Sequence, residues 1–535
     1  MFFCVNKKNN SNNYYEMKSK LENINGKRNT QNYLIGIDIG TSATKMTVLD
    51  LKGDIVYSKA EEYKIDYLPK GKVQQNPWDW YNSLCLLLRD AYTSGSLEKK
   101  KVMAIGVSSQ SNALIPVSMT GDLLYPAILY LDKRSIDICN SFKGTAEEKR
   151  IYKLTGSTLK PSYTGPQISW ILKNEPDIYK NTHKFLTANG FIIYKLTGKF
   201  SQDYTQTGMT GIFNREKECW SDELLSYFDI SEDKLSKIYK PYEIVGKTNK
   251  LLTKITGLPT GIPVIAGALD VASTMLGSGC IDIGSCLIEM GSVINIANLT
   301  NKLIRDKNLQ TYPSVIPGIH IVAGSVDGAG NTINWFLNNI YRGSGTNDHI
   351  TDRDIFNNLN KEIINTTLGS GNIIFLPFMV GMRTPRSDLN TKGSFLGIKV
   401  SSRKIDIFRS ILEGCAYGLK HNLEFIYKKK IDLIEVIASG GASRDKFWLQ
   451  IMADVLNIHI KRSYYTSGAS IGSAMLAGVG CGVFNGFEQA KELVCKYDLD
   501  FNPKINNSIL YDKYYRQYKS FVKSLILELD RLENI

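Results

Sequence analysis

The chain has 535 residues, of which 43% are hydrophobic and 22% charged, and it carries a formal net charge of +13. This composition is ordinary for a globular protein, and the length exceeds what one hydrophobic core supports. No stretch approaches the run of about eighteen apolar residues that a membrane span needs, so the sequence predicts no membrane association.

The basic residues are scattered along the chain, and their densest runs are the lysine triplets at 99–101 and 428–430. A nucleic-acid-binding protein would gather them on one face, so a basic surface suited to an anionic small substrate is the better interpretation. The nine cysteines contain no CxxC pair, and the five histidines contain no HxH or HExxH pair. These patterns predict reduced thiols in the cytoplasm and give no support to a cysteine or histidine metal site.

Residues 1–31 are polar, rich in Asn and Lys and without periodicity, which is typical of a disordered leader. From residue 32 onward, strand and helix patterns alternate, and the order begins again near the stretch GSGCIDIGS. We therefore predict a first domain at 32–280 and a second at 281–535.

In the first half, LIGIDIG and ATKMTVLD predict a β-hairpin, DIVYSKAEEY a third strand, WDWYNSLCLLLRDAY a helix and VMAIGVSS a buried strand. In the second half, SCLIEMGSVINIANL is again strand, glycine turn and strand, GIHIVAGSVD is a further strand and NTINWFLNNIY is helical. KYYRQYKSFVKSLILELDRLENI closes the chain as a helical segment. The order predicts an α/β protein made of two duplicated domains.

The first hairpin carries polar residues at its turn. Asp38 points away from the face shared by its isoleucine neighbours, and Gly40, Thr41 and Ser42 form the turn, with Lys45 in the second strand. Free backbone amides and hydroxyls can hold an anion, and a nearby carboxylate can hold hydrated Mg²⁺. Taken alone, the pattern also fits a compact hairpin turn with no ligand.

The second half repeats this turn as Met290-Gly291-Ser292. Two such turns, one in each domain, could hold an oligophosphate in the cleft between them. A third glycine pair, Gly440-Gly441, follows a buried strand and precedes a helix, where flat contact with a purine or ribose is possible and Ser443 opens the helix toward phosphate. A glycine pair before a helix is common, so this element alone is a weak signal.

Asp270 in GIPVIAGALDVASTMLGSG follows a run of apolar and small residues, and a helix is predicted to begin after it. It is either the N-cap of that helix or a carboxylate at the carboxyl end of a strand, where open α/β folds bind ligands. In the second case it could accept a proton from a substrate hydroxyl.

These segments together resemble the FGGY carbohydrate kinases of the actin-like ATPase superfamily, from about Tyr33 to Phe484. The resemblance is carried by GIDIGTSATK, by FLPFMVGMRTPRSDLNTKGSFLGI around a GERTP-like core, by ILEGCAYGL, and by ASGGASRDKFWLQIMADVL followed by SGASIGSAMLAGVG. It implies two ribonuclease-H-like domains with ATP and Mg²⁺ in an interdomain cleft, and phosphoryl transfer to a hydroxyl of a sugar or polyol.

The resemblance also implies residue roles. Asp270 would be the catalytic base, with no need of a greatly shifted pKa because the proton leaves late, and Asp38 would help to place the metal. The expected nucleotide-binding residues are Gly40, Thr41, Ser42, Lys45, Gly291, Ser292, Gly440, Gly441 and Ser443.

Substrate contacts are expected from GVSSQSNALIPVSMTGDLLYPAILYLDKRS, at Gln110, Ser111, Asn112, Asp132 and Arg134. Ser111-Asn112 replaces the Met-His typical of xylulokinases, and the Arg-Glu of glycerol kinases is absent. Tyr130 stands for a tryptophan, and Met382 for the glutamate of GERTP. We expect a xylulose-like ketose, with a pentitol or a hexonate such as gluconate as alternatives.

Two other functional classes remain open from the sequence. One is a non-catalytic relative that binds nucleotide as a sensor or scaffold, although Asp38 and Asp270 are both present. The other is an actin- or chaperone-type ATPase. A homodimer is possible, because a dimer face would be an ordinary amphipathic surface.

Overall fold

The structure is a computed structural model, and it describes residues 32–97, 101–342, 352–386, 388 and 390–532. The predicted leader at 1–31 lies outside the described residues. No helix among the described residues is long and apolar enough to cross a membrane.

Strands of the first half form one large sheet and several small ones. Their bounds are β1 (Asn32–Ile39), β2 (Ala43–Asp50), β3 (Ile55–Glu62), β4 (Asp66–Leu68), β5 (Lys72–Gln75), β6 (Lys101–Ser109), β7 (Ile115–Val117), β8 (Ala127–Ile128), β9 (Lys184–Leu186), β10 (Gln202–Asp203), β11 (Phe213–Asn214), β12 (Cys219–Trp220), β13 (Ile238–Tyr239), β14 (Ile244–Lys247), β15 (Pro263–Ile265) and β16 (Ala268–Leu269).

Helices of the first half cover the large sheet and surround the smaller ones. Their bounds are α1 (Pro77–Thr93), α2 (Ile136–Ser141), α3 (Ala146–Thr155), α4 (Thr164–Asn174), α5 (Pro176–Asn181), α6 (Ala188–Thr197), α7 (Asp222–Tyr227), α8 (Lys250–Thr256) and α9 (Asp270–Gly277).

The second half has a large sheet and helices of its own. Its strands are β17 (Ser285–Met290), β18 (Ile294–Thr300), β19 (Gln310–Pro313), β20 (His320–Val326), β21 (Ile374–Leu376), β22 (Ser394–Leu396), β23 (Glu435–Ser439), β24 (Ile460–Ser463) and β25 (Tyr497–Phe501). Its helices are α10 (Gly330–Phe336), α11 (Asp352–Glu362), α12 (Lys404–Tyr427), α13 (Lys446–Leu456), α14 (Gly468–Gly480), α15 (Phe487–Val494) and α16 (Ile505–Leu532).

The two large sheets repeat one arrangement. In the first, the order is β14-β15-β6-β1-β2-β3; in the second, it is β19-β20-β18-β17-β23-β24-β25. In each, the opening strand pairs antiparallel with the next strand and parallel with a later one, β1 with β6 and β17 with β23. The predicted duplication and α/β class are confirmed.

Strand β1 is buried on both faces, which goes beyond the half-buried hairpin that its alternation suggested. Its isoleucines, which share one face as predicted, join one core with α1, whereas Leu34 joins a core shared with the second half. Helix α14, from the second half, covers this other face. A Cβ on Gly36 would lie 1.8 Å from the backbone oxygen of Ser470, so only glycine allows the helix to approach this closely.

Candidate active site

Three polar side chains emerge where neighbouring parallel strands of the first sheet end. In the strand register Asp38 on β1 lies beside Ser108 on β6, whose hydroxyl donates to the Asp38 carboxylate at 3.0 Å. Gln110 follows β6 directly, and Asp270 follows β16, which pairs parallel with the end of β6. The carboxyl edge of a parallel sheet is where open α/β folds bind ligands, and these three residues meet there.

Asp270 is the first residue of α9 rather than its N-cap, which is Leu269. Among the described residues, its carboxylate accepts a hydrogen bond only from the next amide in the chain, that of Val271, at 2.6 Å. The side chain is therefore not used as a conventional helix cap, which would accept a hydrogen bond from an amide two or three residues ahead.

Asp270 lies in the wall of two neighbouring cavities. The first, of about 240 Å³, is lined by Asp38, Lys45, Asp270, Glu289 and the segment 466–470, and is called here the phosphate cavity. The second, of about 280 Å³, is lined by Ser111, Asn112, Lys160, Asp270 and Arg383 among others, and is called the acceptor cavity. Both cavities are walled by residues of both halves of the chain.

In each hairpin turn, the glycine amide is hydrogen-bonded within the turn. In the first, the amide of Gly40 donates to the oxygen of Ala43 at 3.0 Å, and the amides of Thr41 and Ser42 have no acceptor among the described residues. In the second, the amide of Gly291 donates to the oxygen of Val293 at 3.0 Å. Neither turn lines the phosphate cavity itself, so phosphate contacts by Thr41, Ser42, Gly291 and Ser292 stay a prediction.

The first turn is held by a buried glutamine that the sequence analysis did not single out. The side-chain amide of Gln75 donates to the oxygen of Thr41 at 2.7 Å, and its oxygen accepts from Gln110 at 3.1 Å. Gln110 is fully buried in this network. It therefore supports the turn from behind and does not line the acceptor cavity.

The glycine pair adjoins the second turn. Ser439 lies beside Glu289 in the parallel pairing of β23 with β17, so Gly440 follows at the same sheet edge. Gly440 has a φ of +93°, and a Cβ there would lie 2.5 Å from the oxygen of Met290. A Cβ on Gly441 would meet no atom within 4 Å, so this backbone is open to a flat ligand. The hydroxyl of Ser443 donates to the oxygen of Gly440 at 2.7 Å, which holds the turn.

Three carboxyl groups and one lysine line the phosphate cavity. Burial, and after it the charges of Asp38 and Glu289, raise the pKa of Asp270 to about 8. Burial also raises the pKa of Asp38 and of Glu289, while the Lys45 ammonium opposes both shifts. The expectation of a nearly ordinary pKa for Asp270 is therefore not met by the structure, because this carboxyl group is buried beside two like charges.

The predicted substrate residues separate into two groups. Ser111 and Asn112 line the acceptor cavity, and so does Tyr130. Asp132 and Arg134 instead form a buried ion pair at 2.8 Å, with each side chain 1% exposed and the guanidinium stacked over Trp170. These two residues do not line the acceptor cavity, so their contact with a substrate stays a prediction.

Several residues of the site were not predicted. Glu289 could have been found, because it precedes Gly291 by two positions as Asp38 precedes Gly40. The segment Ser467–Ser470 opens α14, and a helix N-terminus beside a cavity favours anions. Met382 is 2% exposed and lines a small cavity beside Asp327, and it does not line the acceptor cavity.

The chain matches known proteins over most of its length. The model of the FGGY family of carbohydrate kinases, N-terminal domain, matches residues 33–277, and the C-terminal domain model matches residues 293–481. Xylulose kinase of Staphylococcus epidermidis is 28% identical over 492 residues, covering 92% of this chain and 96% of that protein.

Solved structures share the fold. Ligand-bound xylulose kinase from Lactobacillus acidophilus has a TM-score of 0.84 at 24% identity, covering 94% of this chain and 100% of that chain. Gluconate kinase from the same organism also has a TM-score of 0.84 at 24% identity, covering 94% of this chain and 100% of that chain. With both domain models matched in order on the two duplicated halves, the chain belongs to the FGGY family of carbohydrate kinases.

Proposed function

We propose that this ATP-dependent carbohydrate kinase transfers the γ-phosphoryl group to a hydroxyl of an open-chain, xylulose-like acceptor, with Asp270 as the base. The observation that supports the proposal best is the position of Asp270, which lines both the phosphate cavity and the acceptor cavity. A group that serves both sides of the reacting centre must lie where the two cavities adjoin. The other carboxylates of the site, Asp38 and Glu289, line the phosphate cavity alone.

In the proposed reaction, the acceptor oxygen forms a bond to the γ-phosphorus as the bond from phosphorus to the bridging oxygen of ATP breaks. The hydroxyl proton passes to the Asp270 carboxylate, and ADP leaves. Lys45 supplies positive charge on the phosphate side, and the N-terminus of α14 at Ser467–Ser470 adds a partial positive charge. Catalysis of this kind depends on positioning and on charge neutralisation more than on covalent help.

The residues of the phosphate cavity fit a magnesium ion. Asp38 is a buried carboxylate that has only one hydroxyl donor, Ser108, and it faces Lys45, Asp270 and Glu289 in a polar cavity. Carboxylate oxygens are ligands that Mg²⁺ prefers, and a cation relieves the repulsion among the three acids. When bound there with ATP, Mg²⁺ would neutralise phosphate charge. Asp38 is the residue proposed to hold it, and Asp270 is then ionised at a lower pH.

The nucleotide is proposed to extend from the phosphate cavity to the glycine pair. Met290 links the two, since its backbone oxygen packs against Gly440 and the Gly291 turn follows it directly. This placement puts adenosine over the open backbone of Gly441 and the triphosphate between the two hairpin turns. The acceptor then enters through the acceptor cavity, past Ser111 and Asn112.

The relatives support a xylulose-like acceptor, since xylulose kinases of several organisms match the chain over about nine-tenths of its length. The structural neighbours do not separate a neutral from an acidic acceptor, because a xylulose kinase and a gluconate kinase are equally similar. A pentitol or a hexonate is the second candidate.

The test is an ADP-release assay over D-xylulose, xylitol and D-gluconate, with wild type, Asp270→Asn and the exposed Asp177→Asn as control. We expect at least one acceptor to stimulate turnover in wild type and in the control, and Asp270→Asn to lower the stimulated rate by about a hundredfold or more. ATP binding should persist in Asp270→Asn, because that change removes a negative charge from the phosphate cavity. No stimulation by any acceptor, or full stimulated turnover in Asp270→Asn, would refute the proposal.

A further inference from the structure

The charged residues of the acceptor cavity are mostly basic. Its walls contain Lys160, Arg383 and Asp270 as their ionisable acidic and basic groups. Asp270 is the proposed base and is committed to the reacting hydroxyl. The remaining two are cations, one from each half of the chain.

Lys160 is a cation in the wall of the acceptor cavity. Among the residues that the structure describes, no carboxylate oxygen lies within 4 Å of its ammonium group, although the side chain is partly buried. Burial and the nearby Arg383 guanidinium lower the pKa of Lys160. The charged form of a desolvated lysine beside a second cation costs free energy unless a ligand supplies a negative charge.

Within the part of the chain that the structure describes, Arg383 has one acidic neighbour, and that neighbour lies outside the acceptor cavity. Its Nε is 3.3 Å from the carboxylate of Asp327, which is 1% exposed and lines a separate small cavity. The Arg383 side chain is itself 52% exposed, and it lines the acceptor cavity. Asp327 thus holds Arg383 from behind while the remaining N–H donors stay available on the acceptor side.

The charges that act on Asp270 and on Lys160 come from different residues. The charges that act on Asp270 come from Asp38 and Glu289, on the phosphate side, and the charge that acts on Lys160 comes from Arg383. Lys160 does not line the phosphate cavity, where Lys45 is the cation. Its charge is therefore available to the acceptor rather than to ATP.

We infer that the acceptor is an open-chain polyhydroxy acid whose carboxylate lies between Lys160 and Arg383 while a hydroxyl at its other end meets Asp270. The inference rests on the proposed kinase function and, of the acceptors considered there, selects the acid in place of the xylulose-like ketose. A carboxylate matches the planar fork of a guanidinium and supplies the charge that Lys160 lacks. Ser111 and Asn112 remain to bond the hydroxyls between the two ends.

The test compares acceptors that differ only in the end group: D-gluconate with D-glucitol, and D-xylonate with xylitol, with D-xylulose as the neutral ketose. We expect kcat/KM to be at least about tenfold higher for each acid than for its neutral counterpart, since a charge-assisted pair is worth a kcal/mol or more. Lys160→Met should reduce this preference by about tenfold or more, chiefly through KM, and Lys160→Arg should retain most of it. Lys173→Met, on the exposed end of α4, is the matched control and should keep the preference.

The outcomes separate the two proposals. If no acceptor stimulates ADP release, the kinase proposal itself fails. If D-xylulose or a polyol is used as well as the acids, or if Lys160→Met leaves the preference unchanged, the polyhydroxy-acid assignment is refuted while the kinase stands. Stimulation by a sugar phosphate alone would refute the carboxylate in favour of a phosphate ester.

Discussion

Asp38 and Glu289 occupy equivalent positions in the two halves, each two residues before the glycine of its hairpin turn, and both line the phosphate cavity. Each contributes a negative charge that raises the pKa of Asp270. The duplication therefore places acids from both halves around the proposed base. The phosphate cavity therefore has more carboxyl groups than basic groups in its wall, and a bound cation would balance their negative charge.

The first prediction concerns stability and pH. The pKa of Asp270 is 3.8 in an unfolded chain and about 8 in the folded one. Between these values the unfolded chain binds fewer protons at this site, so the contribution of Asp270 to stability falls as pH rises through that window. Asparagine does not titrate. The advantage of Asp270→Asn in the free energy of unfolding should grow by at most about 1.4 kcal/mol per pH unit from pH 5 to pH 8. Thermal unfolding measured across this range, with Asp177→Asn as control, checks it, and a difference independent of pH would contradict it.

The second prediction concerns the rate. A base must be ionised to accept a proton, and the pH dependence of kcat/KM reports the free enzyme. Because the pKa of Asp270 is raised to about 8, we expect kcat/KM for the acceptor to rise with pH and to level off near that value. Raising free Mg²⁺ should move the apparent pKa downward, since a cation favours the ionised carboxylate. A profile already flat from pH 5.5 upward at low Mg²⁺ would refute a raised pKa.

The third prediction tests the first hairpin turn. Gln75 donates to the backbone oxygens of Thr41 at 2.7 Å and of Lys64 at 3.0 Å. Gln75→Leu leaves these groups and Gln110 unpaired, so KM for ATP should rise by about tenfold. Gln74→Leu is the neighbouring control, because Gln74 makes only a 3.4 Å contact with Arg134. Equal KM values in both variants would show that the turn does not bind phosphate.

The fourth prediction separates the two glycines of the pair. Gly440→Ala forces a Cβ to within 2.5 Å of the Met290 oxygen at a φ of +93°, so it should lower stability by about 1–3 kcal/mol. Gly441→Leu meets open space, so the protein should fold normally. If adenosine lies over Gly441, this second variant should raise KM for ATP by about tenfold or more, because the leucine fills the nucleotide site. Thermal unfolding together with nucleotide titration distinguishes them, and normal ATP binding by Gly441→Leu would move adenosine elsewhere.

The fifth prediction concerns the buried pair Asp132–Arg134. Asp132→Asn leaves the Arg134 guanidinium buried without its counter-ion, which costs about 3–5 kcal/mol of stability. Asp137→Asn, in the first turn of α2, should cost little. If the pair is structural, the folded fraction of Asp132→Asn keeps its acceptor KM. A large rise in that KM without loss of stability would instead show direct contact with the acceptor.

Local patterns predicted the features that depend on neighbours in sequence. The alternation of Tyr33 to Asp50 gave the first hairpin, its repetition gave the duplication, and a strand followed by a helix placed Asp270 at a sheet edge. The family motifs added the expectation that Gly440 and Gly441 bind the nucleotide. Each of these inferences needed only a short segment and a known periodicity.

Features made by distant segments were not predictable in the same way. Lys160 lies in a loop of the first half, and Arg383 lies in the segment FLPFMVGMRTPRSDLNTKGSFLGI of the second half. No sequence pattern in either segment predicts that the two side chains come close together. The raised pKa of Asp270 depends on Glu289, from the other half of the chain. Asp132 and Arg134 matched a family pattern, yet the fold pairs them with each other because burial requires each charge to be satisfied.

Helix α14 lines the phosphate cavity at one end and packs against the first sheet along its length. Its first residues form part of the wall of the phosphate cavity, and its body lies against β1 and β6 through backbone contacts at Gly36 and Gly106. Helix α14 thus forms part of a cavity wall and also packs the second half of the chain against the first sheet. A Cβ at Gly36 or Gly106 would lie 1.8 Å or 2.0 Å from a backbone oxygen of this helix, so a larger residue at either position would have to displace a helix that also walls the phosphate cavity.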